Sequence, residues 1–282
     1  MRTLAHISDL HFGRIDPRVV EGLLADLMAH GPDLVIISGD LVQRAKRSMF
    51  AEARAFLERL PFPYLVVPGN HDIPVYNVLR RFLDPFRYYK RYISRDLSPL
   101  HVDAEIAVLG LNTARSVILD FSHGRLNREQ IARIREVFDE LPPHVFKIVF
   151  THHPFLPPPD APRTRLVDRH KLALPALEEC GVDLLLAGHL HRAYSGELAT
   201  FHTQIARSIL VAQASTATST RLRNEANAYN IIRVDMPELT LEVRSWTGEG
   251  FERGPLSSYC KRGHRWQLQD RDETGAMPVA PP

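Results

Sequence analysis

Residues 33–40 read Asp-Leu-Val-Ile-Ile-Ser-Gly-Asp, a run of aliphatic and β-branched residues that stops at a polar pair. Residues 3–11 and 64–72 have the same form and end in Asp-Leu-His and Gly-Asn-His-Asp. Short apolar runs bounded by turn residues are typical of buried β-strands. The chain therefore begins with three predicted strands, each followed at once by polar side chains.

Helical patterns separate these strands, because apolar residues recur at helical spacing in 18–29 and 48–60. Asp9 and Asp40 are 31 positions apart, and Asp40 and Asn70 are 30 apart. A βαβ unit takes roughly 30 residues. The carboxyl ends of parallel strands lie at one edge of a sheet, where ligands bind, so the three polar clusters are expected to converge.

The second half of the chain continues this alternation and then changes to consecutive strands. Strands are predicted at 105–110, 146–150 and 183–187, and helices at 127–140 and 172–179. Later runs indicate antiparallel strands that complete a second sheet; they lie at 194–198, 208–213, 229–235 and 240–246. We expect an α/β (α+β) fold, a four-layer αββα sandwich of two mixed sheets with helices outside and a metal site at the strand ends. The early helices flank one sheet, and the late strands finish the other.

Length and composition bound the remaining features. The 282 residues, 44% hydrophobic and 24% charged, suit one large core. We expect one domain over 1–250 and a C-terminal extension over 251–282, with the Pro- and Ala-rich end disordered. No apolar run is long enough for a bilayer, no leader is evident, and the two cysteines are expected to be reduced. We expect a cytoplasmic location. The formal net charge of +2 gives no strong nucleic-acid signal.

Eight polar residues at the predicted strand ends are candidates for metal chemistry. They are Asp9, His11, Asp40, Asn70, His71, His152, His189 and His191. Imidazole, carboxylate and amide ligands suit Mn, Fe or Zn, and the absence of thiolate argues against a structural zinc site. Each pair alone is an ordinary turn sequence, but five clusters in order, each ending a predicted strand, indicate a site for two metal ions.

These blocks resemble the signature of the calcineurin-like metallophosphoesterases, and the resemblance extends from the first strand to about Trp246. It implies that Asp9, His11 and His191 hold one metal, that Asn70, His152 and His189 hold the other, and that Asp40 bridges them. His152 is chosen over His153 because the family ligand lies two residues before a proline, as here before Pro154. His153 would then support the site or face substrate.

The resemblance also implies a mechanism. A hydroxide that bridges the two metals would attack phosphorus in line and expel an alkoxide. His71 resembles the family's non-ligating catalytic histidine, and Asp72 would orient its other ring nitrogen. Asn112 and Arg115, just after the strand at 105–110, are candidates for contacts with substrate phosphate, as is His153. An ordinary surface ion pair is the alternative role for Arg115.

Weaker cues place the chain near the bacterial class III cyclic-nucleotide phosphodiesterase and glycerophosphodiesterase branch. They are the sequence of residues 6–13, the Gly-Asn-His-Asp block, the chain length and the strand at 230–235. The expected substrate is a small phosphodiester. A UDP-sugar-lipid pyrophosphate hydrolase, a DNA nuclease and a non-catalytic scaffold are the alternatives. Peripheral membrane contact and a homodimer are further expectations.

A basic and aromatic insert at 78–100 follows the His71 block. Residues 78–95 hold six Arg or Lys residues and five aromatic residues. The insert is either an amphipathic helix with a core face and a solvated basic face, or a cap that contacts an anionic substrate. The Pro-rich loop at 154–162 is also expected to overhang the site.

Overall fold

The computed structural model describes residues 1–116, 122–198, 208–222 and 225–272. The helices are α1 (Pro17–His30), α2 (Arg47–Leu57), α3 (Val78–Leu83), α4 (Arg87–Tyr92), α5 (Arg128–Phe138) and α6 (His170–Glu179). The strands are β1 (Arg2–Ile7), β2 (Leu34–Ile37), β3 (Tyr64–Val66), β4 (Leu100–Val102), β5 (Ile106–Gly110), β6 (Phe146–Phe150), β7 (Leu184–Ala187), β8 (Tyr194–Glu197), β9 (Leu210–Gln213), β10 (Ala228–Asp235), β11 (Glu238–Trp246), β12 (Phe251–Arg262) and β13 (Arg265–Asp272).

The strands form two mixed sheets. The first has the order β13-β12-β11-β10-β1-β2-β3, and β1, β2 and β3 are parallel to one another. The second has the order β4-β5-β6-β7-β9-β8, and β5, β6, β7 and β9 are parallel. The polar residues that follow the parallel strands therefore collect at one edge of each sheet.

Alternation along the strands produces the layers. Ala5 and Ile7 of β1 pack with α1 and α2, whereas Leu4 packs between the two sheets. In β5, Val108 faces the first sheet and Leu109 packs with α5 and α6. Successive side chains of a strand point to opposite faces, so each inner strand contributes to two apolar layers. The predicted αββα sandwich is confirmed.

The placement of the late strands differs from the prediction. The strands β10 to β13 extend the first sheet, which α1 and α2 flank, and only β8 and β9 join the second. In addition, β9 is parallel to β7 rather than antiparallel. The reason is that β2 pairs with only one edge of β1. The opposite edge of β1 is free, and β10 pairs with it in antiparallel register. Strand patterns in a sequence do not specify such neighbours.

The predicted extension from residue 251 begins with β12 and β13, which continue the first sheet. Residues 273–282, where disorder was predicted, lie outside the described residues. The division at residue 250 stays a prediction. Cys180 and Cys260 are both free thiols. Among the described residues, no helix has the length and apolar character needed to cross a membrane.

An ion pair ties α1 to the first sheet. Arg244 of β11 contacts Asp26 of α1 at 2.8 Å and Glu242 at 3.0 Å, and all three side chains are 10–12% exposed. Replacing Arg244 by Ala leaves both carboxylates without this cation. We expect a loss of about 3 kcal/mol in the free energy of unfolding, measured by urea denaturation.

Arg253 on β12 provides the matched control, because its pair with Asp272 is 3.6 Å long and its side chain is 55% exposed. Arg253→Ala should change the free energy of unfolding by no more than about 0.5 kcal/mol. Equal losses in the two variants would contradict the role given to Arg244.

Candidate metal centre

The candidate site lies between the two sheets at the carboxyl ends of their parallel strands. The first sheet supplies Asp9 and His11 after β1, Asp40 after β2, and Asn70 after β3. The second sheet supplies His152 after β6 and His189 and His191 after β7. Both layers of the sandwich therefore contribute to one cluster.

One group of side chains gathers around Asp9. Its Oδ1 lies 3.6 Å from His11 Nε2 and 3.4 Å from His191 Nε2. The two Nε2 atoms are 3.4 Å apart, and the imidazole rings are stacked with centroids 5.1 Å apart. All three side chains are buried, so one oxygen and two nitrogens point at a common position.

A second group gathers around Asn70. Its Oδ1 lies 3.0 Å from His152 Nε2 and 3.1 Å from His189 Nδ1, and these two nitrogens are 3.3 Å apart. Asp40 stands between the groups, with Oδ2 3.4 Å from His152 Nε2 and 3.9 Å from His11 Nε2. Asp40 is therefore placed to belong to both groups.

The spacing and chemistry of these atoms fit two metal ions. Two ligands that are each about 2.1 Å from an ion lie roughly 3–3.5 Å from one another, close to the distances observed here. Asp9 Oδ1 is buried and has no hydrogen-bond partner among the described residues. A buried carboxylate oxygen without a donor is costly, and a cation would satisfy it.

The protonation states of the candidate ligand side chains also suit the binding of cations. Burial raises the pKa of Asp9, but the charges of His191 and His152 and the hydrogen bond with His11 together outweigh burial and hold the pKa of that carboxyl well below its usual range. Burial also raises the pKa of Asp40, but His152, His71 and His11 together outweigh burial and hold the pKa of that carboxyl well below its usual range. Burial, helped by the charge on His152, lowers the pKa of His189 to about 3. At neutral pH the site thus offers two carboxylates and a neutral His189.

The backbone at most of the candidate metal ligands is strained. Five of the six non-glycine residues with positive φ among the described residues are in the cluster: Asp9 (54°), His11 (53°), Asp40 (52°), His189 (75°) and His191 (56°). Each such residue costs roughly 1–3 kcal/mol. Strain of this kind persists only where the surrounding packing enforces it, and here it turns the side chains toward one another.

The calcineurin-like phosphoesterase family matches residues 2–193, a range that includes every residue of the cluster. The chain belongs to this family. The resemblance seen in the sequence motifs is thereby confirmed.

Relatives with curated descriptions are similar at low identity. A probable cyclic nucleotide phosphodiesterase of Rhodococcus erythropolis is 26% identical over 231 residues, 74% of this chain and 71% of that protein. A probable glycerophosphodiester phosphodiesterase of Arcobacter nitrofigilis is 27% identical over 123 residues, 44% of this chain and 42% of that protein. One from Enterobacter lignolyticus is 37% identical over 81 residues, 24% of this chain and 29% of that protein. The matches thus cover less than half the length of the two glycerophosphodiesterases.

Two solved structures share the fold. A purple acid phosphatase of yellow lupin has a TM-score of 0.66 at 12% identity, covering 89% of this chain and 52% of that one. A dimetal phosphatase of Danio rerio has a TM-score of 0.63 at 13% identity, covering 86% of this chain and 96% of that one. At these identities, the likeness establishes a common fold.

In this family member, Asp72 does not orient His71 as predicted. The buried Asp72 carboxylate accepts hydrogen bonds from the backbone N–H groups of Gly69 (2.8 Å), Val42 (3.1 Å) and Leu41 (3.3 Å). Burial, and after it the charge of Asp40, raises the pKa of Asp72 to about 7. Asp72 therefore joins the loops after β2 and β3, which carry Asp40 and Asn70.

Gln43 takes the place predicted for Asp72. His71 Nδ1 lies 2.8 Å from the carbonyl oxygen of Gln43, to which it can donate, and His71 Nε2 faces Asp40 Oδ2 at 4.0 Å. The His71 side chain is 24% exposed, so it borders solvent, whereas Asp9, His11, Asp40, His152 and His191 are buried. Gln43 lies only three positions after Asp40 and could have been considered as a partner of His71 from the sequence. Its contact is made by the backbone carbonyl oxygen, however, and a sequence does not show which backbone groups accept hydrogen bonds.

The residues predicted to contact substrate have other partners. His153 is buried, with Nδ1 2.8 Å from Thr113 Oγ1 and Nε2 3.1 Å from the Ser122 carbonyl oxygen, and its ring packs 4.7 Å from that of His189. His153 therefore packs against His189 and supports the site, which is one of the two roles expected for it from the sequence. Both ring nitrogens are engaged, so His153 does not face substrate.

Arg115 turns toward α5, and the Asn112 side chain bonds within its own loop. Arg115 Nε donates to the Arg125 carbonyl oxygen at 2.8 Å, and Nη2 donates to Gln130 Oε1 at 2.7 Å. Asn112 Oδ1 accepts from the backbone of Ala114 at 2.9 Å. The structure does not bring Arg115 into the cluster, and its partners are a carbonyl and an amide rather than the predicted surface carboxylate.

A Ser/Thr-rich segment after β9 supports the site and was not singled out in the sequence. Thr216 Oγ1 donates to the Asp9 carbonyl oxygen and Thr218 Oγ1 to that of Leu10, both at 2.7 Å, and Ser215 Oγ donates to that of His191 at 3.2 Å. These buried hydroxyls hold the strained ligand loops. The dense hydroxyl run at 215–220 is the signal that could have indicated this role.

The insert has the core-packed face expected of the first of its two roles, and contact with an anionic substrate stays a prediction. In α4, Tyr89 is fully buried and its hydroxyl donates to the Val66 carbonyl oxygen at 2.9 Å. Arg81 of α3 is also buried and donates to the carbonyl oxygens of Pro74 and Arg115. The insert is thus anchored to the core beside the loop of His71. The Pro-rich loop reaches the other side, where Asp160 pairs with Arg192 at 2.8 Å, next to His191.

Gly69 has no room for a side chain, because a Cβ there would lie 2.1 Å from Asp40 Oδ1. Gly69→Ala must displace that carboxylate, and we expect metal affinity to fall at least about tenfold. Titration with Mn²⁺ against a competing chelator measures it, with circular dichroism as the check on folding.

Gly250→Ala is the control, because a Cβ at Gly250 has nothing within 4 Å. It should bind metal as the wild type does. Wild-type affinity in Gly69→Ala would show that the position of Asp40 does not govern binding.

Proposed function

We propose that this protein is a binuclear metal-dependent phosphodiesterase that hydrolyses small diesters of the cyclic nucleotide or glycerophosphodiester type. The observation that carries the proposal is the pair of ligand groups that share Asp40 at the edge of the sandwich. The names of the relatives support the choice of diesters as substrates. The cytoplasmic location and the homodimer expected from the sequence belong to the same proposal.

Asp9, His11, His191 and Asp40 would hold one metal, and Asn70, His152, His189 and Asp40 the other. Nitrogen and oxygen ligands of this kind suit Mn, Fe or Zn. When bound, the pair of ions neutralises the phosphate charge and supplies an activated water for in-line attack. The protein contributes the fixed positions of the ligands, which the strained loops and buried hydroxyls hold before metal arrives.

His71 is the proposed proton donor to the leaving oxygen. Its Nδ1 lies 2.8 Å from the Gln43 carbonyl oxygen, to which it can donate, so Nε2 is the ring nitrogen that would carry the proton to the leaving oxygen. Nε2 points toward Asp40, and the ring borders solvent, a position from which it can reach a departing alkoxide. Ribose and glycerol oxygens have high pKa values and need such a proton.

A turnover panel with the Mn²⁺-loaded protein tests the proposal. It contains a nitrophenyl monoester, bis(p-nitrophenyl) phosphate, a cyclic nucleotide and a glycerophosphodiester. We expect a higher kcat/KM for diesters than for the monoester, because the walls around the site offer contacts to the second ester group. Equal kcat/KM values for monoester and diesters would contradict this specificity.

Asp40→Ala should abolish this turnover and lower the metal content, read by elemental analysis, below that of wild type. Glu249→Ala, at an exposed position, is the control and should retain both. If Asp40→Ala binds two ions with wild-type affinity, Asp40 is not the shared ligand.

His71→Ala should lower kcat roughly 10²–10⁴-fold on diesters with alkyl leaving groups, with metal content preserved. The defect should shrink for nitrophenyl leaving groups, because nitrophenolate departs without a proton. His144→Ala, at an exposed histidine, is the matched control. Loss of metal in His71→Ala would instead make His71 a ligand.

A second candidate, the UDP-sugar-lipid pyrophosphate hydrolase, is favoured by the surface of α3. Leu79, Phe82 and Leu83 are 71%, 55% and 76% exposed, and an apolar face beside the site could contact a lipid or a membrane. This candidate requires turnover of a detergent-solubilised UDP-sugar-lipid that exceeds turnover of the water-soluble diesters, and a loss of that turnover in Leu79→Ser.

A further inference from the structure

A cavity of about 310 Å³ opens beside His71, between the loop that precedes α2 and the start of α3. Its volume is within the range of small-molecule sites. Gln43, His71, Pro74 and Tyr76 are among the residues that line it. Because His71 is one of the lining residues, the cavity lies directly beside the proposed proton donor.

The lining of this cavity is strongly positive. Arg44, Lys46, Arg47 and Arg80 contribute four cations, and no carboxylate is among the lining residues that the structure describes. Within the described parts of the chain, none of the four has a carboxylate oxygen within 4.0 Å of its charged nitrogens. The whole chain has a formal net charge of only +2, so this concentration of charge is local.

Aromatic rings, not acids, position two of these cations. The Arg44 guanidinium lies 5.2 Å from the centroid of the Tyr76 ring, and that of Arg80 lies 4.7 Å from the Tyr88 ring. Cation–π contacts orient a guanidinium without neutralising it. The charges therefore stay available to an anion that enters from solvent, and they repel one another until it does.

We propose that this cavity binds a second phosphate group carried by the leaving group of the substrate. The inference rests on the proposed function, because it takes His71 as the donor to the leaving oxygen. A leaving group at His71 extends into the cavity, since the His71 ring forms part of its wall. Arginine is well suited to phosphate recognition because its planar fork binds two oxygens at once.

The reaction balances with this substrate class. The oxygen of water adds to the diester phosphorus and the water releases one proton to solvent, the bond from phosphorus to the leaving oxygen breaks, and the proton on His71 Nε2 passes to that oxygen. Solvent then returns a proton to His71. The products are a phosphomonoester and an alcohol that still carries its own phosphate. The second phosphate undergoes no chemistry and contributes binding energy only.

The test compares two substrates of the Mn²⁺-loaded full chain. One is diglyceryl phosphate, and the other is the same diester with a phosphate on one terminal hydroxyl, both followed by ³¹P NMR. We expect kcat/KM to be at least about tenfold higher for the phosphorylated diester. The double variant Arg44→Gln/Arg80→Gln should lose that advantage through KM and turn over diglyceryl phosphate within about twofold of wild type.

Lys90→Gln/Arg91→Gln is the matched control, because it removes two charges from exposed positions of α4 that do not line the cavity. It should keep the tenfold preference. A wild type that turns over both diesters equally well, or a loss of preference that is equal in the two double variants, would overturn the inference and leave the proposed function standing.

A binding measurement decides the inference independently of turnover. Glycerol 3-phosphate is titrated by calorimetry into the chelator-treated full chain, in which only the protein's own charges act. We expect binding about tenfold weaker in Arg44→Gln/Arg80→Gln and unchanged in the control. Equal affinity in the wild type and in Arg44→Gln/Arg80→Gln overturns the inference. Failure of every diester in the turnover panel would instead count against the proposed function.

Discussion

The carboxylate of Asp40 is held from both sides. Its Oδ1 accepts a hydrogen bond from the backbone N–H of His71 at 2.8 Å, while Oδ2 faces His11 and His152. The first contact fixes the loop after β3 against the loop after β2, and the second places one oxygen between the two ligand groups. The remaining features of the site depend on this position.

Much of the surrounding sequence serves to hold strained loops rather than to bind metal. Asp72 gathers three backbone N–H groups, and the hydroxyls after β9 cap the carbonyl oxygens of the opposite loop. Gly188 shows the same constraint as Gly69, because a Cβ there would meet Ser8 Oγ and Asp9 Oδ2. The strain of the ligand backbone is offset by contacts that come from both sheets.

The region around the cluster has two different walls. On the side of His71, the buried Arg81 and Tyr89 anchor the insert to the core, and the start of the insert lines a cavity with basic side chains. On the side of His191, the Pro-rich loop is fastened to Arg192. The cluster is therefore bordered by a basic wall on the side of His71 and by a loop closed with an ion pair on the side of His191.

The sequence by itself predicted the αββα layers and the meeting of the polar clusters at one edge, whereas the choice of His152 over His153 as a ligand came from the family resemblance. Alternating burial and the 30-residue spacing follow from local geometry, and polar residues at strand ends must meet at one edge of a parallel sheet. It did not determine that β10 to β13 extend the first sheet, because edge pairing depends on which backbone edge is free. Nor did it determine the partners of His71, Asp72, His153 and Arg115. Those partners are mostly backbone groups of distant loops, and a backbone N–H or C=O is the same in every residue except proline, so only the tertiary structure decides which side chain meets it.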